Sequence, residues 1–282
     1  MKIDGRLIAE NILEGLKSRV EVLRKKGVIP TLLVILVGDN ENSIAYIKQK
    51  EIKATEIGAR VEVVTLSEKT SFEEAKELIL KLNDDPLIHG IIIQRPAPKS
   101  LRVDRLSDEI WPEKEIDGFG NDALYDVPVA EAVILIIQTA FEQMGKSENF
   151  KDWIEKQKIV VIGKGETAGG PIIAHMQKMG LNPQVVDNKT QNPKKISKQA
   201  DILVSAVGKN RTVTADMVKR GVILIGVGLH TDGEGKLRGD FHRDEIAEIV
   251  SFYSPTPGGV GPVNVACLIG NLVEACEKQS SL

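Results

Sequence analysis

Tyr46 and Lys50 stand four residues apart in the stretch SIAYIKQKEIK, Ser43 to Lys53. On a helix that spacing stacks two side chains on one face. A phenol beside an ammonium is a proton-handling pair. A lysine has a reference pKa near ~10.4, so it must be desolvated or crowded by positive charge to act as a base near neutrality. Lys48 and Lys53 are the neighbouring cations that could crowd it. The same spacing also fits a plain solvated helix face. Gln94 ends the apolar run IHGIIIQ, where an amide can project into a crevice or bond to a loop. KEIDGFG places Asp117 before Gly118, an acid on a turn.

A second group of residues suits phosphate rather than proton chemistry. KIVVIGKGETAGGPIIAHM reads strand, glycine turn, helix, with Gly163, Gly165 and Gly169 spaced G-x-G-x-x-x-G. That is one residue longer than the usual dinucleotide fingerprint. The following helix aims free N–H groups and its positive dipole end at a pyrophosphate. Pro171 suits a first helical turn, where no N–H partner is lost. Asp187 and Asn188 end the next strand, where an acid can hold a ribose diol. Val207 in AVGKN and Leu229 after GVG follow apolar strands, on the edge where ligands of such sheets bind. A structural reading of the glycines, as packing between strand and helix, competes with this one.

SPTPGGVGPVNVACL, Ser254 to Leu268, sets Pro255, Pro257 and Pro262 around Gly258, Gly259 and Gly261. Stiff and permissive residues side by side hold bare backbone still next to something that comes close.

The elements that must carry these residues alternate along the chain. A helical pattern from Leu7 to Leu23 stops at Gly27, and TLLVILVG is a continuous apolar strand. Asn42 to Ile57 is helical, RVEVVTL alternates as a strand, and Ser71 with Glu74 forms a capping box ahead of another helix. A long helix runs from about Ala130 to Gln143, and the polar KSENFKDWIEKQ approaches a second domain. KIVVIG, PQVVD, DILVSAVG and VILIGVG are its strands, and DGEG at Asp232 turns a hairpin. Alternating strands and helices imply parallel sheets covered on both faces.

At 282 residues the chain is long enough for two domains. Its formal net charge of −3 argues against a nucleic-acid partner. Cys267 and Cys276 match no zinc motif and read as reduced, packed thiols, and His89, His175, His230 and His242 are scattered, so no metal site is expected. Asp4, Arg6 and Glu10 interrupt any signal-peptide pattern and no apolar run reaches membrane-spanning length. A cytoplasmic protein with no membrane association is expected.

Taken together, Tyr46 with Lys50, the Gln94–Pro96–x–Pro98 segment, Asp117-Gly118-Phe119, the glycine turn, ADILVSAVGK and PTPGGVGP occur in a telling order. Over essentially its whole length the chain resembles the bifunctional methylenetetrahydrofolate dehydrogenase/cyclohydrolase family. PTPGGVGP and the Y-x-x-x-K helix are specific to that family; the glycine turn is not. The resemblance implies an α/β fold of two domains, an N-terminal α/β folate domain and a Rossmann-like dinucleotide-binding domain with a cleft between them. It assigns residues 1–133 with 263–282 to the folate domain and 134–262 to the NAD(P) domain.

The implied chemistry is hydride transfer from 5,10-methylenetetrahydrofolate to NADP, with NAD as the second choice, then hydrolysis of the methenyl product to 10-formyltetrahydrofolate. These steps belong to one-carbon metabolism and purine biosynthesis. By the resemblance, Lys50 handles the proton of hydrolysis, Tyr46 contacts the folate and Gln94 tunes the lysine. Asp117 holds the pterin, whose donor edge suits a carboxylate. Pro257, Gly258 and Gly259 line the folate where the nicotinamide meets it. Gly163, Lys164, Gly165, Asp187, Asn188, Val207 and Leu229 hold the nucleotide. A homodimer is implied as well.

The chain also departs from the family pattern. Arg95 and Ala97 replace leucines in Q-L-P-L-P, Gly120-Asn121 replaces His-Pro, and Val127-Pro128-Val129-Ala130 replaces Pro-Cys-Thr-Pro. Gly226 stands for an aspartate and Val263-Asn264 for Met-Thr. Lys164-Gly165 replaces Arg-Ser, and Asp187-Asn188 replaces His-Ser. Asp187 would repel a 2′-phosphate and suit a bare ribose diol, whereas Lys164 would meet the phosphate. A dehydrogenase without cyclohydrolase activity, and a non-catalytic folate- or nucleotide-binding homologue, are the alternative readings.

Overall fold

The computed structural model describes residues 1–280. In chain order the elements are α1 Gly5–Lys25, β1 Thr31–Val37, α2 Glu41–Glu56, β2 Arg60–Leu66, α3 Phe72–Asn83, β3 Gly90–Ile93, α4 Val103–Ser107 and α5 Pro128–Gln143. There follow α6 Phe150–Ile154, β4 Ile159–Ile162, α7 Gly169–Lys178, β5 Gln184–Val186, α8 Pro193–Ser197, β6 Ile202–Ser205 and β7 Ile223–Gly226. The chain closes with β8 Leu229–Thr231, β9 Leu237–Gly239, α9 Arg243–Ile246, β10 Phe252–Tyr253 and α10 Val260–Ser280. The molecule is a two-domain α/β protein. One compact unit contains Met1–Ala9 with Val129–Asn264; the other contains Glu10–Pro128 with the chain from Val265 onward.

The unit beginning at Glu10 is built on a parallel sheet in the order β2-β1-β3. The central strand TLLVILV is buried at every position, which is why it reads as an unbroken apolar run. Leu33, Ile35 and Val37 pack with Ala75 and Ile79 of α3, Ile91 and Ile93 of β3, and Leu106 of α4. Strand β2 lies at the sheet edge and is largely exposed, with Val63 38% accessible. The expectation of a sheet covered on both faces therefore fails at this strand, whose alternation is that of a half-solvated edge. The expected capping box is present: the Ser71 side chain accepts from the Glu74 amide, and the Glu74 carboxylate accepts from the Ser71 amide. Asn271 of α10 donates through Nδ2 to the carbonyls of Ile116 and Asp126, at 2.9 and 3.1 Å. These bonds anchor the segment around Asp117.

The other unit carries a parallel sheet in the order β10-β7-β6-β4-β5. Val160, Ile162, Leu203 and Leu224 pack with Val213, Ile246 and Val250 in its core. The two-residue strand β10 was not legible in the sequence. Phe252 and Tyr253 pair with Ile223 and Leu224, and Lys2 bridges to Tyr253 on the other side. The segment Lys146–Gln157 is an integral part of this unit. Trp153 is 2% exposed, and its ring lies 5.0 Å from that of Phe141 and 6.0 Å from that of Phe150. The DGEG turn joins β8 to β9 in the expected antiparallel hairpin.

Candidate active site and nucleotide turn

In the unit beginning at Glu10, helix α2 starts where Asn40 caps it, its side chain accepting from the Ser43 amide at 3.0 Å. The buried face of this helix carries Ser43, Ile47, Lys50 and Ala54. Lys50 is 8% exposed, so it does not sit on a solvated face. Its Nζ donates to Oε1 of Gln94 at 2.9 Å. Gln94 stands one residue past β3, where its own amide donates to the Ile35 carbonyl and extends the ladder to β1. Its side-chain Nε2 donates to the Arg95 carbonyl at 2.7 Å. That bond fixes the amide so that its acceptor faces the lysine.

Burial drives the Lys50 pKa below the ordinary lysine range, opposed by the negative charge of Asp117. Lys48 and Lys53, which could have added a little positive crowding, do not contribute to this shift. Those two ammonium groups are ion-paired with Glu51 and Glu56, at 3.1 and 2.8 Å. Desolvation alone lowers the pKa. Asp117 shifts upward for the same reason, with Lys50 and Arg95 pulling it back. Burial also raises the Tyr46 phenol, which therefore stays protonated at neutral pH. Ser43 Oγ is buried with no hydrogen-bond partner, an open hydroxyl three residues before Tyr46 on the same helix. Lys50, Gln94, Asp117 and Tyr46 are thus all placed in one unit; Lys50 is hydrogen-bonded to Gln94 and feels the charge of Asp117. Arg95 lies with its guanidinium 4.5 Å from the Phe119 ring centroid and its Nη2 2.6 Å from Asp104. The guanidinium fills a place where the family pattern has an apolar residue.

In the other unit the turn after β4 has the form its glycines demand. Gly163 has φ +92° and its amide donates to the Val186 carbonyl at 2.8 Å. A Cβ at Gly163 would collide with the Ala206 carbonyl, so only glycine fits. Helix α7 begins at Gly169, whose hydrogens face the Gly163 carbonyl. A bare turn leading into a ten-residue helix is a cradle that a pyrophosphate fits. Lys164 Nζ lies 2.8 Å from Asp187 Oδ2. That ion pair, with the Lys189 amide and the Thr190 hydroxyl, holds the Asp187 carboxyl at about 2. The two residues proposed for opposite nucleotide preferences therefore neutralise each other. Asn188 follows on the same strand end.

The loop after β6 is organised by a residue that the sequence reading missed. Asp240 is fully buried, and its carboxylate accepts from the Ser205 hydroxyl at 2.6 Å and from the amides of Val207, Gly208 and Lys209 at 3.0, 2.8 and 2.9 Å. These amides form a nest already filled by the chain's own anion. The Val207 side chain is 38% exposed at the edge of this loop. Its clamp stands more than thirty positions away in sequence, so no local spacing announces it. Leu229 opens the hairpin strand β8, three residues after the last residue of β7. The proline–glycine segment is tied within its own unit. The Gly5 amide donates to the Gly258 carbonyl at 2.9 Å, and the fully buried Ser254 hydroxyl accepts from the Gly226 amide at 2.8 Å. Pro257, Gly258 and Gly259 thus form a fixed turn leading into α10.

A dinucleotide cradle on one parallel sheet and a desolvated lysine on another define a two-domain α/β enzyme of the nucleotide-dependent kind. The family model described as tetrahydrofolate dehydrogenase/cyclohydrolase, NAD(P)-binding domain, matches residues 140–280, and the corresponding catalytic domain matches residues 3–117. The bifunctional protein FolD of Agathobacter rectalis is 35% identical over 277 residues, covering 98% of this chain and 99% of the relative. The crystal structure of the bifunctional FolD dehydrogenase/cyclohydrolase from Campylobacter jejuni superposes with a TM-score of 0.90 at 30% identity, covering 99% of both chains. The Trypanosoma brucei dehydrogenase-cyclohydrolase, solved with NADP and an inhibitor, gives a TM-score of 0.89 at 27% identity, covering 100% of this chain and 99% of that one. The chain belongs to the tetrahydrofolate dehydrogenase/cyclohydrolase family. Among the described residues no helix is long and apolar enough to cross a membrane, and no cluster of His, Cys, Asp and Glu could hold a metal ion.

Proposed function

We propose that this protein oxidises 5,10-methylenetetrahydrofolate to 5,10-methenyltetrahydrofolate with NADP and then hydrolyses the product to 10-formyltetrahydrofolate. Family membership supports the pair of reactions. The observation that carries the hydrolytic half is the buried Lys50 amine held by Gln94 at 2.9 Å. NADP supplies the hydride acceptor when bound. The nucleotide is assigned to Gly163, Lys164, Gly165, Asp187, Asn188, Val207 and Leu229. The folate is assigned to Tyr46, Asp117, Pro257, Gly258 and Gly259. The pterin's amino and ring N–H donors suit the half-buried Asp117 carboxylate as acceptor.

In the oxidation, the methylene carbon of the substrate loses a hydride and becomes the electrophilic methenyl carbon. In the hydrolysis, water adds to that carbon and one of its protons must leave. A Lys50 amine of lowered pKa is neutral in a larger fraction of molecules and can take that proton. Gln94 holds the amine in place and accepts from the ammonium that forms. The C–N5 bond of the adduct then breaks, N5 keeping the electron pair and gaining the hydroxyl proton, and the carbon stays on N10 as the formyl group. Tyr46 stays a neutral phenol and contributes contact and a donor.

The NADP preference rests on Lys164 at the glycine turn and on family membership. NAD is the second choice because Asp187 stands in the same pair. We assign the folate domain to residues 1–133 with 263–282, of which 281 and 282 lie outside the described residues, and the NAD(P) domain to 134–262; the compact units differ from this division chiefly at Met1–Ala9, which falls with Val129–Asn264. The protein is further taken to be a cytoplasmic homodimer feeding purine biosynthesis. The open edge of β2, with Val61 and Val63, supports self-association. Multi-angle light scattering reads the mass directly, and a monomer at working concentration rejects the dimer.

The deciding experiment follows nicotinamide absorbance and methenyl-folate absorbance in one cuvette with each nucleotide. Nucleotide reduction without lasting methenyl accumulation is expected. Methenyl accumulation identifies a dehydrogenase lacking the hydrolase, and no change in either signal identifies a binding protein.

A further inference from the structure

Glu115 is 2% exposed, and the proposed chemistry gives this acid no task. Its backbone is fastened to the central sheet of its unit: residue 115 bridges Ile91, and the Ile91 amide donates to the Lys114 carbonyl at 2.7 Å. Its side chain turns back on the loop that carries Asp117. Oε1 accepts from the Asp117 amide at 3.2 Å and Oε2 from the Gly120 amide at 3.3 Å, with the Gly118 amide as a further donor. Gly118 has φ +77°, and a Cβ there would strike the Val127 backbone. The loop therefore has one tight shape, and one buried carboxylate collects its amides.

We propose that Glu115 is a positioning residue for the folate: its carboxylate clamps the 117–120 backbone and so aims the Asp117 carboxyl that receives the pterin. The proposal rests on the folate assignment of Asp117 above. The charged groups around the clamp are few. Asp117 on the same loop is the acid that acts on Glu115 directly. Lys50 of α2 and Arg95 after β3 act on Asp117. The Lys114 amine points away, donating to the carbonyls of Leu82, Asn83 and Asp85. Asp108 is engaged by Asn121, at 2.8 and 2.9 Å.

The clamp is tied to pH. Burial, and next the charge of Asp117, push the Glu115 carboxyl up to about 7, against the three amides. The ionised clamp is complete above that value. Protonation as pH falls through about 7 weakens its acceptors and loosens Asp117. The folate KM rises on the acid side, while the nucleotide KM does not follow.

The test measures both KM values for the purified full chain and for Glu115→Gln, about one pH unit either side of neutrality. Glutamine keeps the shape but offers one acceptor in place of two. It should raise the folate KM about tenfold on the alkaline side, the scale of one lost charged hydrogen bond. It should also flatten the folate pH profile without moving the nucleotide KM. A parental folate KM with the parental pH step overturns the role. If Glu115→Gln does not fold, Glu115→Asp takes its place: it keeps the charge one methylene short. A raised folate KM that still steps with pH supports the clamp, and an unchanged folate KM rejects it. A parent chain that reduces no nucleotide with folate would reject the proposed function instead, so the two failures are distinct.

Discussion

Lys50 and Gln94, 44 positions apart, meet through a 2.9 Å hydrogen bond from the lysine ammonium nitrogen to the amide oxygen. Both are buried, the lysine at 8% and the glutamine at 9% exposure. A lysine so enclosed, with one neutral acceptor and a partly buried acid near it, has lost most of the solvation that keeps lysines charged. That loss holds its pKa below the ordinary lysine range and leaves more of the amine free to take a proton.

Removing the amine should abolish the hydrolytic step. Lys50→Met is expected to slow methenyl hydrolysis by about 10²–10⁴-fold, the span of general base catalysis, with the far-ultraviolet circular dichroism unchanged. Hydrolysis at the parental rate would take Lys50 out of the mechanism. In the parent, the hydrolysis rate should climb with pH and level off below the ordinary lysine range, because the neutral amine is the active form.

Gln94 should tune rather than replace that base. Its oxygen accepts from the ammonium and so favours the charged form. Gln94→Leu removes this support, and the inflection of the hydrolysis profile should move to lower pH. An inflection that moves up or stays in place would mean that the amide does not face the lysine in the working enzyme.

Nucleotide choice should turn on the Lys164–Asp187 pair. Asp187→Ser frees the ammonium for a 2′-phosphate and removes the acid that suits a bare diol. The NADP KM should fall about tenfold and the NAD KM should rise, a change the size of one charge-assisted bond. A variant with both constants unchanged would show that neither residue faces the ribose.

The Asp240 clamp should be a matter of stability first. Asp240→Ala leaves three amides and the Ser205 hydroxyl without their buried acceptor. A cost of about 3 kcal/mol is expected, lowering the melting temperature by about 6–12 °C for units of this size. A parental melting curve would mean that water or another group satisfies those amides.

Much of the scaffold was legible from local pattern. Unbroken apolar runs marked β1, β4, β6 and β7 because strands buried on both faces have no polar side to show. Ser71 and Glu74 announced the start of α3 because capping is settled within four residues. The turn after β4 was readable because only glycine tolerates φ +92° against a neighbouring carbonyl. The edge character of β2 was less plain, since alternation does not say which strand lies outermost.

The chain alone thus determined which residues share a helix face, where strands end, and that Tyr46 and Lys50 rise from one side of α2. Those facts follow from backbone periods of a few residues, which every local sequence carries. Tertiary structure decided that Lys50 is buried, that Gln94 is its acceptor, and that Asp240 gathers the amides of the loop after β6. Solvent exclusion and long-range acceptors set the charge and aim of a side chain, and both depend on packing between segments tens of residues apart.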